Sequence, residues 1–183
     1  VLTIPNASKA NEGSYQVVMK NPAGTLVSEE IKVTVVQPVT ILAQPKGATR
    51  LFGQALTLSI VASGSEPLVY QWQKDGEAIT GAEAKELVFE DLATTDAALY
   101  TVSISNEAGT VESVPAEVIV HVPITITQQP VASRVIEGET ATFTVEAQGT
   151  EPIEYQWRFN SVEIEGGTGP VLTIPNASKA NEG

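Results

Sequence analysis

The sequence is shortest in the residues that do chemistry. Its 183 positions hold no cysteine and a single histidine, His121. Without thiols there is no disulfide and no thiolate-held metal, and the chain can fold whatever the redox state around it. Positive charge is also scarce, with 10 Lys and Arg against 22 Asp and Glu and a net charge of −12. Binding to phosphate-rich nucleic acid or to an anionic membrane surface needs clustered cations, so both are disfavoured. The acidity reads instead as a solvated, self-repelling surface. Long apolar runs are missing too, and no stretch of 18 apolar residues is present to cross a membrane. Position 1 is valine and no basic, hydrophobic leader opens the chain, as expected of a piece of a longer polypeptide.

Repetition is what the chain does have. Tyr70-Gln71-Trp72 recurs as Tyr155-Gln156-Trp157, 85 residues later. The same shift carries Gln44-Pro45 onto Gln129-Pro130, and Gly64, Glu66 and Pro67 onto Gly149, Glu151 and Pro152. Earlier in the chain it carries Tyr15 onto Tyr100, Asn21 onto Asn106 and Ala23-Gly24-Thr25 onto Ala108-Gly109-Thr110. No gap is needed. The chain also starts and ends on the same thirteen residues, VLTIPNASKANEG, two periods apart at 1–13 and 171–183. A fixed period of this kind marks a repeat architecture.

Each repeat reads as strands. Leu56, Leu58, Ile60 and Ala62 fall on one face of residues 56–64, with Thr57, Ser59 and Val61 on the other. Ala141, Phe143, Val145 and Ala147 repeat the pattern. Residues 100–120 read as two strands around the turn Asn106-Glu107-Ala108-Gly109, whose glycine suits positive φ. About seven short strands in 85 residues point to an all-β fold of antiparallel sandwiches.

The order Gly, apolar alternation, Ala-x-Gly-x-x-Pro, Tyr-Gln-Trp, Asp-x-Ala-x-Tyr and Asn-x-x-Gly resembles the intermediate-set immunoglobulin domain. It is most similar to cysteine-free copies found in tandem on large bacterial surface proteins. The resemblance covers the whole chain. It implies a structural core in which Trp72 and Trp157 sit between the sheets and Tyr100 and Tyr15 form the family's tyrosine corner. It would place the family's bridging cysteines at Ile60 with Val102, and at Val145 with Val17. All four positions carry β-branched residues instead. A lost sandwich disulfide costs roughly 2–5 kcal/mol, and each buried aliphatic side chain offsets about 1.5–3 kcal/mol of that.

On this alignment residues 1–38 are the last part of one domain, strands E to G in the family's lettering. Residues 39–123 make a complete domain, and 124–183 supply strands A to E of another. The linkers 35–41 and 121–126 are short, lack glycine and carry Pro38 and Pro123. Proline fixes φ, so an extended array with stiff joints is expected. The terminal parts need strands from a neighbouring repeat, on the same chain or supplied head to tail by another.

No catalytic, cofactor-binding or metal-binding residues are expected. His121 aligns with Val36 and so is not shared between repeats. Alone, it supports neither a zinc site nor a nucleophile pair. The carboxylate neighbours Glu29-Glu30, Glu90-Asp91 and Glu163/Glu165 fall on strand edges and loops, away from the enclosed clefts that acid–base work needs. The linkers around Pro38 and Pro123 hold no acidic residue for a junction calcium. Asn6-Ala7-Ser8 and Asn176-Ala177-Ser178 match the short glycosylation pattern, and their asparagines equally suit a turn. The expected function is a structural repeat segment of an extracellular or cell-surface filament, stalk or array, with itself as partner. The alternative is an adhesion module for a surface protein or glycan, or an accessory domain of a larger surface enzyme.

Overall fold

A computed structural model describes residues 1–182. The chain divides into two compact units. The first comprises Val1–Ala48, Ala55–Phe89 and Ala97–Val118. The second takes Thr49–Gln54, Glu90–Asp96 and the chain from Ile119 onward.

The first unit opens with four short strands, β1 (Gly13–Tyr15), β2 (Val18–Asn21), β3 (Gly24–Val27) and β4 (Ile31–Val33). They form two antiparallel ladders, β1 with β4 and β2 with β3. The central stretch then adds β5 (Thr40–Ala43), β6 (Ala48–Leu51), β7 (Leu56–Ser59), β8 (Val61–Ser63) and β9 (Val69–Lys74). It continues through β10 (Glu77–Ala78), β11 (Glu86–Phe89), β12 (Ala98–Asn106), β13 (Gly109–Glu112) and β14 (Ala116–His121). One sheet runs β10-β9-β12-β14-β6, with β13 also paired to β12. Two further ladders, β5 with β8 and β7 with β11, supply the facing layer.

Alternation explains why these residues pair as they do. Along β12, Tyr100, Val102 and Ile104 are buried while their neighbours point outward. Val102 lies opposite Trp72 on β9, and Ile104 opposite Tyr70. A one-residue slip would turn the whole apolar set to water, so burial itself fixes the register. The β9–β10 hairpin turns on Asp75 and Gly76, both with positive φ (50° and 85°), the two-residue geometry that matches strand twist.

The second unit holds β15 (Thr125–Gln128), β16 (Ala141–Thr144), β17 (Glu146–Gln148), β18 (Arg158–Phe159), β19 (Val162–Glu163) and β20 (Val171–Ile174). These pair as β15 with β17, β16 with β20 and β18 with β19. Each ladder has a counterpart one period earlier, in β5 with β8, β7 with β11 and β9 with β10. One element departs from the repeat. Tyr155, Gln156 and Trp157 carry no strand assignment, although Tyr70, Gln71 and Trp72 lie within β9. The reason is the partner, because β9 is held by β12 and the described residues of the second unit contain no strand in that role.

Candidate functional site: repeat faces and joints

Four of the eight expected core residues lie in the central stretch, and there the core is closed. Ile60, Trp72, Tyr100 and Val102 are at most 3% exposed. The Trp72 indole donates to the Ala84 carbonyl at 3.0 Å, and the Phe89 ring meets Tyr100 edge-on at 5.4 Å. The frame around the tryptophan repeats with the period, since the Trp157 indole donates to the Gly169 carbonyl at 2.8 Å. Gln71 and Gln156 each brace the turn that follows, donating to the carbonyls of Ile79 and Ile164. Tyr15 makes the corner contact, its hydroxyl donating to the Asn11 carbonyl at 2.8 Å.

The other four expected core residues are only partly covered. Tyr15, Val145 and Trp157 are half-buried. Val17 corrects the expectation outright, standing 55% exposed although its counterpart Val102 is fully buried. Val17 and Met19 are both exposed, and among the described residues β1 to β4 pair with no strand beyond their two ladders. In the second unit an open concavity of about 620 Å³ is lined by apolar residues such as Ala141, Phe143 and Ile174 and by charged ones, Arg134, Glu137 and Lys179.

The joints are held by a hydrogen-bond set that the periodicity contains but that motif reading overlooked. Gln37 receives at its carbonyl the Ser65 amide (3.1 Å) and the Asn106 carboxamide (2.8 Å), and its own amide donates to the Ser65 hydroxyl (2.8 Å). The Asn106 carboxamide also reaches the Ser65 carbonyl at 3.1 Å, while its oxygen accepts the Ala108 amide. Gly64 leaves room for this, because a Cβ there would sit 3.2 Å from Asn106, Pro38 and Val39 alike. One period later the Thr150 hydroxyl and amide hold Val122 in the same manner, at 2.6 and 3.0 Å. On the other side of that joint the His121 carbonyl accepts the Phe52 amide at 2.8 Å. His121 and Val122 are consecutive, and each is bonded to a different segment. The peptide between them is planar, so only the ψ of His121 and the φ of Val122 remain as soft rotations. At the earlier joint, Glu12 accepts the Val35 amide at 2.9 Å. That bond, with the Lys9 ammonium beside it, holds the Glu12 carboxyl below its ordinary range.

A second recurring device ties neighbouring strands together. The Ser113 hydroxyl accepts the buried Val102 amide at 3.0 Å, and Ser28 does the same for Val17 at 2.9 Å. Its signal is in the sequence, because Ser28 and Ser113 are one period apart.

Among the described residues no three His, Cys, Asp or Glu side chains converge on one point. Glu29, Glu30, Glu90, Asp91, Glu163 and Glu165 are all exposed, and Glu163 pairs with Arg158 at 3.2 Å. His121 is an exposed strand end. Asn6 and Asn176 are exposed turn residues with φ of 53° and 52°. No helix in the described chain is long and apolar enough to cross a membrane.

Comparison with known proteins agrees with this architecture. Residues 39–120 match the Immunoglobulin I-set domain. Hemicentin-2 of Mus musculus is 34% identical over 86% of this chain, and the Muscle M-line assembly protein unc-89 of Caenorhabditis elegans is 28% identical over 90%. The chain spans only 3% and 2% of the length of those proteins. Among solved structures, the I-band fragment I67-I69 from titin superposes with a TM-score of 0.83, covering 97% of this chain and 69% of that one at 21% identity. The fold is therefore all-β and immunoglobulin-like, shared with tandem-domain proteins. The expected likeness to bacterial surface proteins is replaced by a likeness to animal ones.

Proposed function

We propose that the chain is a structural segment of an extended array of immunoglobulin-like modules, working at the cell surface or outside the cell and without catalysis or a cofactor. The modules follow the repeat, with a closing part over 1–38, a complete module over 39–123 and an opening part over 124–183. One observation carries this reading. At the second joint, consecutive residues are bonded to different segments, His121 to Phe52 and Val122 to Thr150. Such a joint leaves little rotational slack, and a load-bearing or spacing array needs just that. The Val122–Thr150 half of this joint recurs one period earlier between Gln37 and Ser65. The array grows end to end, by continuation of the same polypeptide or by strands from a neighbouring copy. Resemblance to long proteins built from many such modules supports the reading.

Electron microscopy of the native polypeptide tests it. Thin, unbranched chains of modules are expected, and dispersed compact particles would overturn the proposal. An adhesion role would instead show as saturable binding of a surface protein or glycan by the isolated central module.

A further inference from the structure

We propose that Asn6 and Asn176 are acceptors for N-linked oligosaccharide. The inference rests on the reading that the chain works outside the cell, and it adds a covalent modification to that reading. The chain has seven asparagines, and only these two open an Asn-x-Ser triplet, Asn6-Ala7-Ser8 and Asn176-Ala177-Ser178, with no proline in the middle. One period from each, the central module has Asp91-Leu92-Ala93 instead, so the triplet falls on alternate modules. A pattern this short recurs by chance, and the weight falls on what the fold does with the two side chains.

Four of the other five asparagines are bonded into the turns they occupy. The side-chain oxygens of Asn11, Asn21, Asn106 and Asn181 accept the backbone amides of Ser8, Ala23, Ala108 and Ser178. Asn6 and Asn176 stand apart. They follow Pro5 and Pro175 in a turn, with φ of 53° and 52°, a left-handed position that asparagine tolerates after proline. Both are exposed, and their carboxamides make no hydrogen bond among the described residues. The turn uses the backbone of the asparagine and leaves its side-chain nitrogen open. This exposure belongs to the module, because Asp91 is exposed at the same position of the complete central module while Leu92 beside it is buried. A sugar on that nitrogen therefore displaces no packed group and breaks no bond. The serine of each triplet is engaged once the chain has folded, with the Ser8 and Ser178 hydroxyls donating to Asn11 and Asn181 at 3.1 and 3.3 Å. Transfer accordingly takes place before these turns close. The Nδ2 atom attacks the anomeric carbon of a lipid diphosphate-linked oligosaccharide. A C–N bond forms as the anomeric C–O bond breaks, the lipid diphosphate leaves with the electron pair, and the nitrogen gives up one proton. The product is a bulky, hydrated surface group that adds solubility.

The full chain, directed into the secretory pathway of animal cells by a cleavable leader, tests the sites, and secreted and cell-retained material are both measured. Peptide N-glycosidase is expected to lower the mass of the 19.3 kDa chain to that of the bare polypeptide and to leave aspartate at Asn6 and Asn176 in peptide maps. Ser8→Ala and Ser178→Ala are each expected to lose the glycan of their own triplet alone, and Ser8→Thr is expected to keep it. Asp91→Asn combined with Ala93→Ser rebuilds the triplet in the central module and is expected to add a third glycan. A chain that stays bare at both asparagines would overturn the proposal, as would sugar that persists on Asn6 in Ser8→Ala. A bare rebuilt triplet would overturn the argument that the module exposes this position. The placement outside the cell is judged separately, on the native polypeptide. Sugar on the directed chain with none on the native one would leave the acceptor sites standing and overturn that placement instead.

Discussion

Residues 1–12 and 171–182 have the same sequence and two different structures. Val171–Ile174 is strand β20, paired residue by residue with β16. Val1–Ile4 has no strand, and Leu2 is 75% exposed where Leu172 is half-buried. A few residues on, the two copies coincide. Asn6 and Asn176 share the left-handed conformation. Ser8 and Ser178 donate their amides to the side chains of Asn11 and Asn181 at 2.8 and 2.9 Å, and the same short 3₁₀ turn follows. The turn is closed by groups within four residues, so it forms wherever the sequence occurs. The strand depends on a partner far along the chain. Ala177 is buried, exchanging backbone bonds with Gly138 and Glu139, while Ala7 is exposed. Propensity proposes a strand here, and pairing decides it.

The largest effect that would sharpen this contrast lies in the core. Ile60→Ala, at 3% exposure, is expected to destabilise the central module by roughly 2–5 kcal/mol, the usual cost of a large core deletion. Val145→Ala, the same repeat position on the open face, should cost under about 1.5 kcal/mol because water already reaches the site. Chemical denaturation of each variant measures both. Equal losses would show that the second unit is packed as tightly as the central module.

Sequence reading reached the period and the all-β sandwich because each has a local or repeated signature. It placed Val17 in the core because the repeat equates it with Val102, which lies in a closed sandwich. Burial is a property of the facing sheet, and a single strand's alternation carries no record of whether that sheet is present. The lack of a strand at Tyr155-Gln156-Trp157 has the same origin. The joint was legible in part. Proline and the absence of glycine spoke for stiffness, but the clamp on Gln37 joins residues 28 and 69 positions apart, and spacing alone could not connect them.

The next effect is smaller. Ser113→Ala removes the hydroxyl that satisfies the buried Val102 amide and should cost about 1–3 kcal/mol. Ser28→Ala makes the same change where Val17 is exposed, and water replaces the lost partner, so less than about 0.5 kcal/mol is expected. Thermal melts compare the pair, and a large loss at Ser28 would break the argument that burial sets the cost.

The identical segments themselves give a finer test. Leu172→Ala should cost about 1 kcal/mol, since half of the side chain leaves the β16–β20 ladder. Leu2→Ala should fall within about 0.5 kcal/mol of zero. Hydrogen exchange at Phe143, whose register partner is Leu172, reads the first change directly. Unchanged exchange there would mean that β20 holds without its side chain.

The smallest effect concerns Glu12, which ends the first copy of the segment. Its carboxylate accepts the Val35 amide at 2.9 Å and pairs with Lys9 at 2.9 Å, and both hold its pKa below the ordinary value near 4.3. A lowered pKa means that the folded chain binds the proton less readily than the unfolded one. The contact is therefore fully present above the ordinary glutamate range and is lost as pH falls through the lowered folded value. Solvent still reaches this half-buried group, so what changes is the tether on Val35 rather than global stability. An NMR titration of the Val35 amide should show a single acid step with its midpoint below that of a free glutamate. Glu12→Gln should abolish the step and leave the melting temperature nearly unchanged. A midpoint at the ordinary value would mean that the carboxylate does not hold Val35 in solution, and that end of the joint would then be free to move.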